Sequence, residues 1–425
     1  MTVPMIAALI ITVIMIVLIM TEKIPFGAPP LLACLLYVLI GISDIKTAFG
    51  GFSNSTIIML ASFMAIITAL QKTSFIANFK KIMYNMAETG GFKSYALIII
   101  IVMLGTSIFG TGSTAYYVLT LGLLSTIPHN KNLPASKIIM SAGFGANHPL
   151  IPFNTALQFG IVVAVLDTAK VNSEISTFKF AIVNLLLSLA YLAWALFSYK
   201  LLPSHPIAEA SEETIRQNES ESTLPKWKEY VTYGAFLGAV VGMLLQSKIG
   251  DAGYAITGLA VALLLVIKVM DLTEIRDAIS SPIILMSAGV IGVADVLGSV
   301  GLTGLVGESV ANMLGGNINP FILVFVFCIL TSVLATLTGS TLGTVYVFAP
   351  LAIATCVNLG LNPTAVAVAI VISGWNGHFL PIDGMPAMIM GIGKYNLKEF
   401  WKYTLPMYFI RLAALSAGAL LMFPM

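Results

Sequence analysis

The chain has 425 residues, of which 58% are hydrophobic and 9% charged, with a formal net charge of +2 and a mean hydropathy of +0.96. Soluble globular domains carry about a quarter charged residues, so water is excluded as the solvent for most of this surface. No basic tract interleaved with aromatics accompanies the near-neutral charge, which excludes a nucleic-acid binder.

Apolar runs long enough to cross a hydrocarbon core recur from end to end and predict an all-α polytopic membrane protein embedded in lipid. The opening MTVPMIAALIITVIMIVLIM lacks a positive n-region and a small-residue cleavage site, so it is expected to be a retained first crossing, at 4–20. Further crossings are expected at 27–42, 55–72, 134–168 and 177–199, then at 228–246, 252–270, 281–299, 361–393 and 400–422. The polar stretch 203–227, with HPIAEASEETIRQNESES at its centre, predicts a flexible linker between a first membrane repeat, 1–202, and a second, 228–425. Cys34, Cys328 and Cys356 lie singly in apolar segments and read as small core hydrophobes.

Between the third and fourth crossings of each half lies an extra apolar stretch, 94–128 and 319–357, interrupted by small polar residues. The interruptions are Thr111-Gly112-Ser113-Thr114 and Thr338-Gly339-Ser340-Thr341. Each predicts a re-entrant hairpin whose tip reaches mid-membrane, buried in protein or lining a wet cavity, because lipid does not tolerate open backbone. Ile57-Ile58 with Ile283-Ile284, Thr106-Ser107 with Thr331-Ser332, Ser113 with Ser340 and Pro152 with Pro381 recur in one order at offsets of 225 to 229, which indicates an internal repeat. Five crossings per half make the repeats inverted. On that topology sixteen of the 21 Lys and Arg fall on one side and four on the other, with Arg411 inside the last helix. The rich side, which holds the linker, is expected to be cytoplasmic and both termini to face out of a plasma (inner) membrane.

The fourth crossing of each half is broken at matching places, GFGANHPLIPFNTA at 143–156 and GWNGHFLPIDGMPA at 374–387. Proline and glycine there free backbone groups at membrane depth, so half-helix N-termini can face an anion while unwound carbonyls coordinate a cation. Two tips and two breaks predict one central site. Ser113, Thr114, Ser340, Thr341, Asn154, Thr155 and Pro381 are the candidate substrate contacts, and Thr111, Gly112, Asn147, Thr338, Gly339, Asn376 and Asp383 the candidate cation or coupling residues. A carboxylate inside a break costs at least about 3 kcal/mol if uncompensated, which favours a cation-ligand or proton-acceptor role for Asp383. Asp295 and Arg411 are expected to be structural and could pair with each other. His148 and His378 are expected to steady the unwound backbone rather than bind a metal, because no His or Cys cluster accompanies them.

TEKIPFGAPPLLACLLYVLIG, GFSNSTIIMLASFMAIITALQKTS and GLNPTAVAVAI resemble the divalent-anion:sodium symporter (DASS) family of the ion-transporter superfamily, over nearly the whole chain. The resemblance implies a homodimer with a scaffold and an elevator-like transport domain. It also implies C4-dicarboxylates, citrate or sulfate as substrates, sodium coupling or anion exchange, and substrate and sodium contacts at the two Gly-Ser-Thr tips. Serine stands at 113 and 340 where the family has asparagine, and Asp383 is a second departure, which leaves a proton as an alternative coupling ion. No HExxH or GxSxG motif suggests an enzyme. A passive anion channel and the membrane subunit of a binding-protein-dependent anion transporter are the other classes compatible with hairpins in a chain of this size.

Overall fold

The computed structural model describes residues 2–425 apart from 22–23, 25–26, 76–77, 79–88, 126–132, 153, 170–174, 206, 208–223, 246–248, 281, 303–304, 306–318, 339–340 and 382–383. Most of the 203–227 linker therefore lies outside the described residues. What is described is a polytopic all-α protein without β-strand. Five helices, Gly91–Phe109, Thr177–Lys200, Pro320–Leu337, Thr341–Asn358 and Leu397–Met422, are long and apolar enough to cross a membrane. Shorter apolar helices accompany them, and large apolar side chains such as Leu39, Phe197 and Val266 face outward, as a lipid solvent allows.

Helices stand where crossings are expected, with ends within a few residues of the predicted ones: Val3–Thr21, Ala28–Leu39, Ser55–Gln71 and Thr177–Phe197, then Lys226–Leu244, Asp251–Val266, Pro282–Ser299 and Leu397–Met422. Both Gly-Ser-Thr interruptions divide helix pairs, Gly91–Phe109 from Thr114–Ser125 and Pro320–Thr338 from Thr341–Asn358. Both proline-glycine segments divide helices, Ala135–Gly145 from Ala156–Thr168 and Thr364–Gly374 from Gly384–Gly393. Two short helices were not anticipated, Ile45–Ala48 and Leu272–Ile279, each just ahead of a crossing.

Two large interiors hold the described residues together, and each is shared between distant segments. One gathers the first hairpin (Tyr95, Met103, Tyr116), the helix before the first break (Ile139, Phe144) and, from the far end of the chain, Ile389, Phe400 and Met407. The other gathers the second hairpin (Phe327, Val345, Ile353), the helix before the second break (Val368, Ile372) and Phe159 and Val162 from beyond the first break. Each broken helix thus contributes its leading half to one interior and its trailing half to the other. The three cysteines are buried and unbridged, as expected.

The paired buried hydroxyls of the two hairpins are satisfied locally, as membrane depth favours. In the first hairpin Thr106 and Ser107 donate to the carbonyls of Val102 and Met103 at 3.0 and 2.8 Å. In the second, Thr331 and Ser332 donate to Phe327 and Cys328 at 2.8 and 2.6 Å. Such bonds to the carbonyl one turn back leave the helix intact and free the oxygen's lone pairs for another element.

Glycine sets the closest approach between the halves. A Cβ on Gly292 would run into the Ala48 carbonyl, and one on Gly51 into the Ala288 carbonyl, so Pro282–Ser299 lies backbone to backbone against residues 48–51. The halves are also joined by charged side chains. Lys72 Nζ lies 2.6 Å from Glu274 and donates to the Val269 carbonyl at 3.0 Å. The buried carboxylate of Glu229 accepts from both the N–H and the hydroxyl of Ser74 at 2.8 Å. Glu229→Ala is expected to cost about 2 kcal/mol, the worth of hydrogen bonds to a charged group, read as a lower melting temperature in detergent; an unchanged value would remove this carboxylate from the inter-half joint.

Candidate functional site

The first hairpin turns at Gly110–Ser113, where Gly110 and Gly112 hold φ of +87° and +79°, a region side chains rarely enter. The arms close on aromatic packing: Phe109 and Tyr116 stack at 5.0 Å, the Tyr116 hydroxyl donates to the Val102 carbonyl at 2.7 Å, and Gly105 leaves room for that hydroxyl. Thr114 heads the second arm; its side chain lies outside the described residues.

The first break, 146–155, is bound to this hairpin by groups that its unwinding releases. Leu150 N–H donates to the Met103 carbonyl at 3.2 Å and Ile151 N–H to the Ser107 hydroxyl at 2.9 Å. Thr106 also donates to the Gly145 carbonyl at 3.0 Å, and the Asn154 amide donates to the Ile108 carbonyl at 3.0 Å. Asn147 works at both ends: its oxygen accepts from the Gly112 N–H at 2.9 Å, and its amide donates to the Trp375 carbonyl in the second break at 2.6 Å. One buried side chain thus joins the hairpin tip to both breaks. Gly112 is also the point where the tip meets the Trp375 indole, which a Cβ would strike.

A cavity of about 270 Å³ opens beside this tip. Thr111, Gly112, Ser113 and Asn154 line it, opposite Thr68 and Gln71 of Ser55–Gln71, with Gln158 on the remaining wall. The helix Ala156–Thr168 begins there, and no side chain caps its N-terminus, so the first-turn N–H groups and the positive end of the helix dipole favour an anion. Thr155, at the N-cap, is buried with its hydroxyl unpartnered. Gln158 is 3% exposed, and its amide nitrogen likewise has no hydrogen-bond partner among the described residues. Sequence inspection passes over Gln158 because it sits one turn inside a regular helix.

Among the described residues, the second half contributes to the surroundings of this site rather than to the cavity wall. Gly339, Ser340 and Asp383 lie outside the described residues, as does the side chain of Thr338; Thr341 starts its helix against Gly374. Pro381 is partly exposed in a turn within the second break. Asn376 is buried, its amide donating to the Ile372 carbonyl at 2.7 Å. Gly377 lies against Ser332 and Thr336 of the second hairpin, where no Cβ could fit.

The breaks also meet through Arg411, which is fully buried in the last helix. Arg411 does not pair with Asp295, whose carboxylate lies beside Gly50. The guanidinium instead donates to the Asn376 and Gly377 carbonyls at 3.0 and 3.3 Å and lies 3.1 Å from His148 Nε2. His148 Nδ1 is 2.7 Å from the Phe144 carbonyl, a backbone-steadying contact as expected of it. No group of three or more potential metal ligands occurs among the described residues.

The family model for the citrate transporter family CitMHS matches residues 16–373. No curated protein matches the chain in sequence. In structure the chain is similar to the YdaH transporter of Alcanivorax borkumensis, at 13% identity and a TM-score of 0.63 with both chains fully covered. It is also similar to MtrF of Neisseria gonorrhoeae, described within a class of antimetabolite efflux pumps, at 13% identity and a TM-score of 0.62, with 99% of this chain and 94% of that one covered. At such identity the likeness is one of fold.

Proposed function

Since the chain belongs to the CitMHS citrate transporter family, we propose that it is a secondary active carrier of citrate or a similar di- or tricarboxylate, driven by a sodium or proton gradient across the plasma membrane. The observation that carries this reading is the cavity at the first hairpin tip. Its donors are the Thr111 and Ser113 hydroxyls, backbone amides and the open N-terminus of Ala156–Thr168, and none of the described residues lining it is anionic. Citrate gives the family its name, and such a donor set suits a carboxylate. The DASS-like assignment, with sodium at the Gly-Ser-Thr tips, belongs to this proposal, as do the inverted repeats, termini facing outward, a homodimer and elevator movement.

Alternating access is supported by the way the first break is fastened to its hairpin through several hydrogen bonds, because such a unit can move as one body past Ser55–Gln71, which also lines the cavity. The test is uptake of labelled citrate into proteoliposomes under an inward sodium gradient, a proton gradient, or neither, with succinate, malate and sulfate as competitors. Saturable uptake with counterflow is the expected result. Flux that does not saturate would replace the carrier with a channel, and no uptake of any tested anion would overturn the substrate class.

Two variants probe the cavity. Gln158→Leu removes an amide that a bound carboxylate would engage, and a hydrogen bond to a charged group is worth about 1.5–3 kcal/mol. The half-saturation concentration for citrate is therefore expected to rise about tenfold or more, with expression unchanged. Ser113→Leu fills the tip and is expected to abolish uptake; full activity in both variants would move the substrate elsewhere.

A further inference from the structure

The second helix break ends Thr364–Gly374 with backbone carbonyls that the helix itself cannot satisfy, at the negative end of its dipole. Unwound carbonyls of this kind are what secondary transporters offer to a mobile coupling cation. Here two of them, on Asn376 and Gly377, already receive hydrogen bonds from Arg411. The same guanidinium reaches the first break. Because it can only donate, the nitrogen facing it, His148 Nε2, is the acceptor, so Nδ1 carries the proton and donates to the Phe144 carbonyl near the end of Ala135–Gly145. The imidazole is further fixed by stacking on Tyr191 at 4.0 Å. The carboxyl ends of both leading half-helices, one directly and one through an imidazole, therefore converge on a single positive charge. That charge is wholly buried, and among the described residues it forms no ion pair.

We infer that Arg411 is a built-in cation of the transport unit: its guanidinium occupies the carbonyl position at Asn376 and Gly377 that would otherwise bind a mobile cation. Its positive charge is held between the two breaks and favours the entry of an anion. Asn376 then holds no sodium through its carbonyl, and any coupling ion binds at the first hairpin tip or beyond. The link to anion transport rests on the function proposed above; occupancy of the carbonyl position does not.

The test uses the full-length protein purified in detergent, without any carboxylate, so that it stands apart from the identity of the substrate. Arg411→Ala leaves a guanidinium-sized space lined by the same carbonyls. Low-millimolar methylguanidinium is expected to raise the melting temperature of this variant by several degrees through binding to the folded state, with potassium chloride at equal ionic strength as control and no effect on the wild-type protein. In proteoliposomes the variant's citrate uptake is expected to fall at least tenfold and to recover in part with the same cation. Arg411→Lys, which returns an ammonium to the carbonyls, is expected to keep uptake within about tenfold of wild type, a difference of about 1.4 kcal/mol, and it decides the matter if Arg411→Ala does not fold. Melting of Arg411→Ala that is indifferent to both methylguanidinium and sodium would overturn the inference. So would Arg411→Met that transports like wild type, or folded Arg411→Lys with no uptake while the wild type is active. Failure of wild-type citrate uptake alone would strike the substrate assignment and leave the melting result standing.

Discussion

Asn147→Ala is expected to lower citrate uptake by about 100-fold or more while leaving a folded, purifiable protein. The truncation strands the Gly112 N–H and the Trp375 carbonyl, and each buried orphan costs about 1–3 kcal/mol. Five other hydrogen bonds still fasten the first break to its hairpin, from Leu150, Ile151, Thr106 and, through both its backbone and its side-chain amide, Asn154, so the loss falls on the position of the tip and on the contact between the breaks. Asn147→Asp separates geometry from charge. It keeps the acceptor for Gly112 but loses the donor to Trp375, and it places a carboxylate near the proposed anion cavity, so it too is expected to be inactive. Uptake by Asn147→Ala within a few-fold of wild type would show that the tip does not depend on this link, and would displace the site from the first hairpin.

The largest effect on stability is expected from Gly292→Ala. Its added methyl meets the Ala48 carbonyl, which cannot rotate away as a side chain would, and the reciprocal contact of Gly51 with the Ala288 carbonyl stops the helix from sliding aside. Overpacking in interiors costs about 1–3 kcal/mol and sometimes more; with backbone on both sides the upper end is expected, seen as a melting temperature several degrees lower in detergent. Gly258→Ala is the control, since nothing lies within 4 Å of a Cβ there; it is expected to leave the melting temperature unchanged or slightly raised, because alanine is the better helix former. Equal melting of the two variants would refute close backbone contact between the halves.

The crossings were legible in the sequence because their length is set by the thickness of a bilayer, and the hairpins and breaks because only glycine, proline and small polar residues permit open backbone there. Leu272–Ile279 escaped since half of LTEIRDAI is polar and shows no apolar run, although Asp271 and Glu274 form a capping box that marks its start. Asn147 and Asn154 stand out as candidates because they lie inside a visible interruption; Gln158, in regular helix just past it, does not. Arg411 stands out in an apolar helix, where the sequence allows it to pair with Asp295. Its true partners are backbone carbonyls and an imidazole, and carbonyls leave no trace in a string of residue types.

The exchange of trailing half-helices between the two interiors has a consequence for how the protein is made. Tyr95, Tyr116 and Phe144 are built early, yet the surface they pack against includes Ile389, Phe400 and Met407. Ribosomes finish that surface only near the end of the message. For most of synthesis the first hairpin must wait in the lipid with its interior face uncovered, so a chain truncated before residue 385 is expected to be inserted yet protease-sensitive, and supplying the missing segment as a separate polypeptide is expected to restore its resistance.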